Sequence, residues 1–181
     1  MKKIALSFIA SLAVASGALA GHEVVATSKE YKAPAPIPCF RDTELQLDLF
    51  GTYNWLINRQ AGGDDGFGGG VALNYFFTRY VGVGVDTNLF DGGVSGLWNF
   101  TGSLIIRFPI EGEVCLAPYI FGGGGYAVDG QGEGTVHAGG GLEWRIVPEK
   151  IGIFAEGRYT WSTGNEHGDA AQARLGVRFV F

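Results

Sequence analysis

The side chains able to do chemistry are not scattered evenly along this chain. Glu44, Asp48, Asp86, Glu143 and Glu156, with Arg107, Arg145, Arg158, Arg174 and Arg178, all lie where polar and apolar residues alternate, on the polar parity of each stretch. Carboxylates and guanidinium groups gathered on one face can move protons, hold a metal ion or pair with one another. Pairing is the simplest reading, because acids and arginines occur there in equal number. Catalysis has one candidate set, Ser103, His137 and Glu143 as nucleophile, base and orienting acid. These three fall in different stretches at no recognisable spacing, so a satisfied polar network is the better reading and no catalytic residue is assigned. The glycines at 122–125 and 139–141 form no G-x-G-x-x-G between a strand and a helix, so no nucleotide cofactor is expected. Cys39 and Cys115 lie too far apart for zinc-ligand spacing, and no metal is expected either.

These residues need strands to position them. Period-two alternation sends successive side chains to opposite faces. From Glu44 to Asn58, Leu45, Leu47, Leu49, Tyr53 and Trp55 share one parity, while Glu44, Gln46, Asp48, Thr52 and Asn54 share the other. After a turn-rich break at 59–66, a second strand alternates through Val71, Leu73, Tyr75 and Phe77, and a third through Val81, Val83 and Val85, with a loop expected over 89–97. A fourth sets Trp98, Phe100, Leu104 and Ile106 against Asn99, Thr101, Ser103 and Arg107. The stretch 115–128 is apolar or glycine on both parities, so its facing stays open. Beyond a loop expected at 129–134, a sixth strand sets Val136, Leu142 and Trp144 against His137, Glu143 and Arg145. A seventh sets Ile151, Ile153, Tyr159 and Trp161 against Phe154, Glu156 and Arg158. The last runs through Leu175, Val177, Phe179 and Phe181, opposite Arg174 and Arg178. Gly82, Gly84, Gly139, Gly141 and Gly176, on the polar parity, are expected to make room for guanidinium groups.

The 181 residues include 31 Gly and only 17% charged residues against 46% hydrophobic, a mixture suited to one domain of many strands and tight turns. Lys2 and Lys3, an apolar run from Ile4 to Val14, and Ala18-Leu19-Ala20 read as a secretory signal over 1–20; the apolar run is too short for an anchor. No cysteine follows the cleavage site, so lipidation is not expected. Residues 21–43, with Pro34, Pro36 and Pro38, read as an extended leader, and 44–181 as the folded domain. The net charge of −5 becomes more negative when the signal's two lysines are lost, which argues against a nucleic-acid partner. After the signal no stretch is long and apolar enough for a membrane helix. Insertion would require strands closed into a barrel, which satisfies every backbone group.

Alternation alone does not separate inside from outside. Three features favour lipid outside: the secretory signal, the Phe that ends the last strand, and aromatics that sort by height. Trp55, Trp98, Phe100, Tyr159 and Trp161 fall near one set of strand ends, and Tyr75, Phe77, Phe108, Trp144, Phe179 and Phe181 near the other, as two interfacial girdles would. The charges then face a narrow lumen in which they must pair.

From Leu45 to Phe181 the chain resembles small outer-membrane barrels of Gram-negative bacteria, of the outer membrane protein A transmembrane-domain and opacity-protein type, often labelled porin-like. The resemblance rests on the Phe-terminal strand, on Pro118-Tyr119 with the glycines that follow, and on Phe154-Ala155-Glu156-Gly157-Arg158-Tyr159. It implies an all-β, eight-stranded antiparallel up-and-down transmembrane barrel in the cell outer membrane, both mature termini periplasmic. It also implies that Phe179 and Phe181 form a signal read by the barrel-assembly machinery, and that outer-membrane lipid and lipopolysaccharide are the other partners. The expected role is structural or surface-interacting, with a packed lumen. The alternatives are an outer-membrane lipid-modifying enzyme or small pore, and a secreted, soluble lipocalin-like binder. Outer-loop acids Asp64, Asp65, Asp91, Asp129, Glu133, Glu166 and Asp169 could attract divalent cations that bridge lipopolysaccharide, but simple solubility is the better reading, and His167 in the last outer loop reads as solvated. The oligomeric state is not legible.

On this strand order Cys39 and Cys115 reach the same, periplasmic end, in an oxidising compartment, so a disulfide is expected, with two free thiols as the alternative. The chain from Cys39 to Glu44 extends about 16 Å, enough to cross the barrel mouth.

Overall fold

The computed structural model describes residues 38–57, 65–91, 97–112, 114–128, 132–164 and 169–181. They form strands β1 (Glu44–Leu56), β2 (Gly66–Phe76), β3 (Val81–Phe90), β4 (Leu97–Arg107), β5 (Leu116–Val128), β6 (Gly132–Val147), β7 (Ile151–Ser162) and β8 (Ala170–Val180). Each pairs antiparallel with its sequence neighbours, and β1 pairs with β8 to close the ring. Leu49 is thus flanked by Val71 on one side and Val177 on the other. Closure removes the sheet edges that an open meander would expose. The seam extends to the last residue, where the Phe181 N–H donates to the Leu45 carbonyl at 2.9 Å. The end at which β1 begins and β8 finishes is called the floor below, and the opposite end the mouth.

Several strands start or end beyond their expected limits. β3 continues to Phe90, where the expectation was a loop from Leu89, because Leu89 and Phe90 pair with Trp98 and Leu97. β2 starts at Gly66 and β6 at Gly132, inside stretches whose glycines read locally as turns; pairing with β1 and β5 keeps them extended. The open question of β5 is also answered. Ala117, Tyr119, Phe121 and Ala127 face the interior, while Ile120, Tyr126 and Val128 face outward. Of the expected signal and leader, residues 1–37 lie outside the described residues.

Candidate functional site: a charge-filled lumen

The barrel is polar inside and apolar outside. Glu44, Arg107 and Glu143 are 0% exposed, and Asp48, Arg145, Arg158, Arg174 and Arg178 are buried with them. Outside, Leu45, Leu49, Val71, Leu73, Val85, Leu104, Ile120 and Leu142 cover the wall, and Leu175 is 67% exposed. Water would penalise so continuous an apolar surface, whereas hydrocarbon would not. Aromatic rings edge this surface at both ends. Towards the mouth Trp55, Tyr159 and Trp161 are joined by Tyr53, Phe67 and Tyr126, and towards the floor Tyr75 packs on Phe77 at 5.2 Å.

Inside, the charges form two balanced tiers. Near the floor, Arg107 Nη1 donates to Glu44 Oε1 at 3.0 Å, Arg145 Nη2 to the same oxygen at 2.5 Å, and Arg145 Nε to Glu143. Arg178 uses Nε and Nη2 on the two oxygens of Asp48, both at 2.7 Å, and Nη1 on Glu143 at 2.6 Å. Gln46 and Asn74 complete the coordination of Glu44 and Asp48. Nearer the mouth, Asp86 receives Arg158 at 2.7 Å and Arg174 at 3.2 Å, while Arg174 lies 3.4 Å from Glu156. Each tier holds as many acids as arginines among these residues. Such neutrality is what a low-dielectric interior demands, since an unpaired charge there is expensive. Tyr119 links the tiers, its hydroxyl donating to Glu156 at 2.8 Å and its ring lying 5.6 Å from the Arg178 guanidinium.

Aromatic rings on the charged parity fill the remaining space, and alternation alone hid them. Phe76 lies 3.9 Å from the Arg107 guanidinium, Phe121 5.3 Å from Arg158, Phe50 4.6 Å from Arg174 and Phe154 4.8 Å from Arg178. Each of these rings has a glycine directly across the ladder: Phe50 and Gly70, Phe76 and Gly82, Phe121 and Gly139, Phe154 and Gly176. Tyr119 and Gly141 repeat the arrangement. A Cβ at Gly176 would stand 2.7 Å from the Phe154 ring, and one at Gly82 2.8 Å from Phe76. The interior glycines therefore make room for rings, and the guanidinium groups lie over those rings. The expectation was that these glycines would make room for guanidinium groups directly; Gly84 instead abuts the Asn74 amide, and the other four abut rings.

The floor is covered by residues 39–43. Cys39 is bonded to Cys115, and Phe40, 0% exposed, lies under Arg107 and Arg145 at 4.7 and 4.9 Å. Asp42 accepts the Arg79 N–H at 2.7 Å, and Arg41 approaches Glu149 at 3.8 Å. One short segment thus touches the β2–β3, β4–β5 and β6–β7 connections. Thr43 then takes φ 56° to turn into β1, a left-handed conformation uncommon for a β-branched residue.

No protein-family model matches the sequence, and no curated protein matches it. Solved structures do match. The N-terminal β-barrel domain of Pseudomonas aeruginosa OprF superimposes with a TM-score of 0.62 at 19% identity, over 78% of this chain and 99% of that one. A de novo designed transmembrane β-barrel gives 0.56 at 17%, over 78% and 98%. The outer membrane protein OprG of P. aeruginosa gives 0.53 at 12%, over 78% and 97%. The fold is that of a small outer-membrane β-barrel.

Within this outer-membrane barrel fold, Ser103 Oγ and His137 Nε2 do meet, at 2.8 Å. Glu143 directs its oxygens to Arg145 and Arg178, and His137 Nδ1 has no hydrogen-bond partner among the described residues, so the carboxylate–histidine contact of a triad is not made. The cavity beside Ser103 measures about 30 Å³, enough for water and far below an organic substrate. Of the acids expected in outer loops, Glu133 faces inward in β6 and is buried, Asp65 accepts the Leu56 N–H at 2.9 Å, and Asp169 accepts the Ser162 N–H at 3.2 Å. Asp65 and Asp169 thus hold the barrel rim, while Asp91 is exposed there. Asp64, Asp129, Glu166 and His167 lie outside the described residues.

Proposed function

We propose that this protein resides in the Gram-negative outer membrane, mature termini in the periplasm, as a structural or surface-interacting barrel with a lumen closed to solutes. The observation that carries this reading is the inverted polarity: arginine–carboxylate tiers inside an apolar wall. Residues 1–20 act as the cleaved signal and 21–43 as the periplasmic leader. Its partners are outer-membrane lipid, lipopolysaccharide and the barrel-assembly machinery. A lipid-modifying enzyme is disfavoured because Ser103 and His137 face the lumen and not the lipid. A small pore is disfavoured because interior cavities of about 30 Å³ lie between the ion pairs and near the mouth. Single-channel recording on the protein refolded into planar bilayers is the test. No resolved conductance steps are expected; steady ion conduction would favour the pore.

Phe179 and Phe181 serve as the assembly signal, because the last residue is paired at the seam while its ring points outward. Deletion of Phe181 is expected to reduce the amount reaching the outer membrane severalfold at equal synthesis. Normal abundance of the truncated chain would remove this role.

A further inference from the structure

We propose that residues 39–43 form a plug that the Cys39–Cys115 bond locks onto the barrel floor, and that opening the bond releases the plug without unfolding the barrel. Three observations support this. The segment enters no strand pairing; β1 begins only at Glu44. Apart from the disulfide, its grip consists of a small apolar cluster of Cys39 and Phe40 with Cys115 and Ala117, the Phe40 ring under two guanidinium groups, one carboxylate–amide hydrogen bond, a long ion pair at the surface, and the Arg41 N–H donating to Glu44 at 3.3 Å. The barrel, by contrast, closes through eight antiparallel ladders in which neither cysteine side chain takes part; β5 begins at Leu116, and Cys115 lends only its carbonyl to the Arg145 N–H at 2.9 Å.

Non-covalent contacts of this number hold a short segment only weakly, because ordering its backbone costs comparable free energy. A covalent bond changes that balance. With Cys39 tied to Cys115, the Phe40 ring stays at high effective concentration against Arg107 and Arg145; with the bond open, segment and floor separate readily. Chemically, a dithiol reductant is oxidised to its disulfide while Cys39 and Cys115 gain two electrons and two protons as free thiols. Both sulfur-bearing residues are buried beside Phe40 and Ala117, so the reductant gains access when the segment breathes. Release would uncover the Arg107 and Arg145 guanidinium groups from the floor side while leaving their bonds to Glu44 and Glu143 in place. The proposal rests on the reading above only for its compartment.

The test uses the purified full chain folded in detergent micelles, so its failure would leave the membrane location untouched. Trypsin cleavage after Arg41 is followed by mass spectrometry for the oxidised protein, for the same protein treated with dithiothreitol, and for Cys39→Ser. Folding is checked by heat-modifiable gel migration. The expected result is cleavage accelerated about tenfold or more when the bond is absent, with unchanged barrel migration. Equal cleavage with and without the bond overturns the lock. Loss of folded migration on reduction overturns the claim that the plug is separable. Should Cys39→Ser not fold, the reduced wild-type chain decides the matter alone.

Discussion

Arg178→Ala is expected to lower the unfolding free energy of the refolded barrel by about 3 to 5 kcal/mol, the cost of stripping a buried carboxylate of its partner. Arg178 holds both oxygens of Asp48 and one of Glu143. Without it Asp48 keeps only the Asn74 amide among its identified partners, while Glu143 retains Arg145. Arg158→Ala should cost less, since Asp86 would still receive Arg174. Urea titration in micelles measures both. Near-wild-type midpoints would mean that water reaches these groups and the tiers carry little stability.

Removing the disulfide should have an effect of similar size by a different route. The bond joins residues separated by 76 positions, and closing so long a loop restricts the unfolded chain by about 4 kcal/mol. Cys115→Ser and chemical reduction should therefore shift the urea midpoint together, with folding in the absence of denaturant preserved by the ladders. A midpoint unchanged in both would show that the unfolded chain gains nothing from losing the tie.

The strands with charge on one parity and branched or aromatic residues on the other were legible from sequence, because lumen and lipid impose opposite demands on alternate positions. β5 was not, since its interior parity carries Ala117, Tyr119 and Phe121, and rings in a lumen look like rings in a lipid belt. The glycine-rich beginnings of β2 and β6 were hidden as well, because pairing across the ring, and not local propensity, keeps them extended. The set of lumen charges could be read from alternation, but their pairing could not. Arg178 meets an aspartate 130 positions away, a distance bridged only by the seam between β1 and β8 and by its register. The aromatic–glycine pairs were only partly visible, since Phe76 and Gly82 flank the short β2–β3 connection, whereas Phe154 and Gly176 lie far from each other in sequence, across the longer β7–β8 loop. Recognising them required treating rings on the polar parity as lumen filling.

Cell fractionation combined with heat-modifiable gel migration tests the central claim most directly, that an apolar wall surrounds a charged lumen in a membrane. The account predicts that the processed chain sediments with the outer membrane, resists extraction by alkaline carbonate, and migrates faster unheated than boiled. A chain recovered in the soluble periplasmic or secreted fraction, with one mobility under both conditions, would contradict it and favour the soluble lipocalin-like binder.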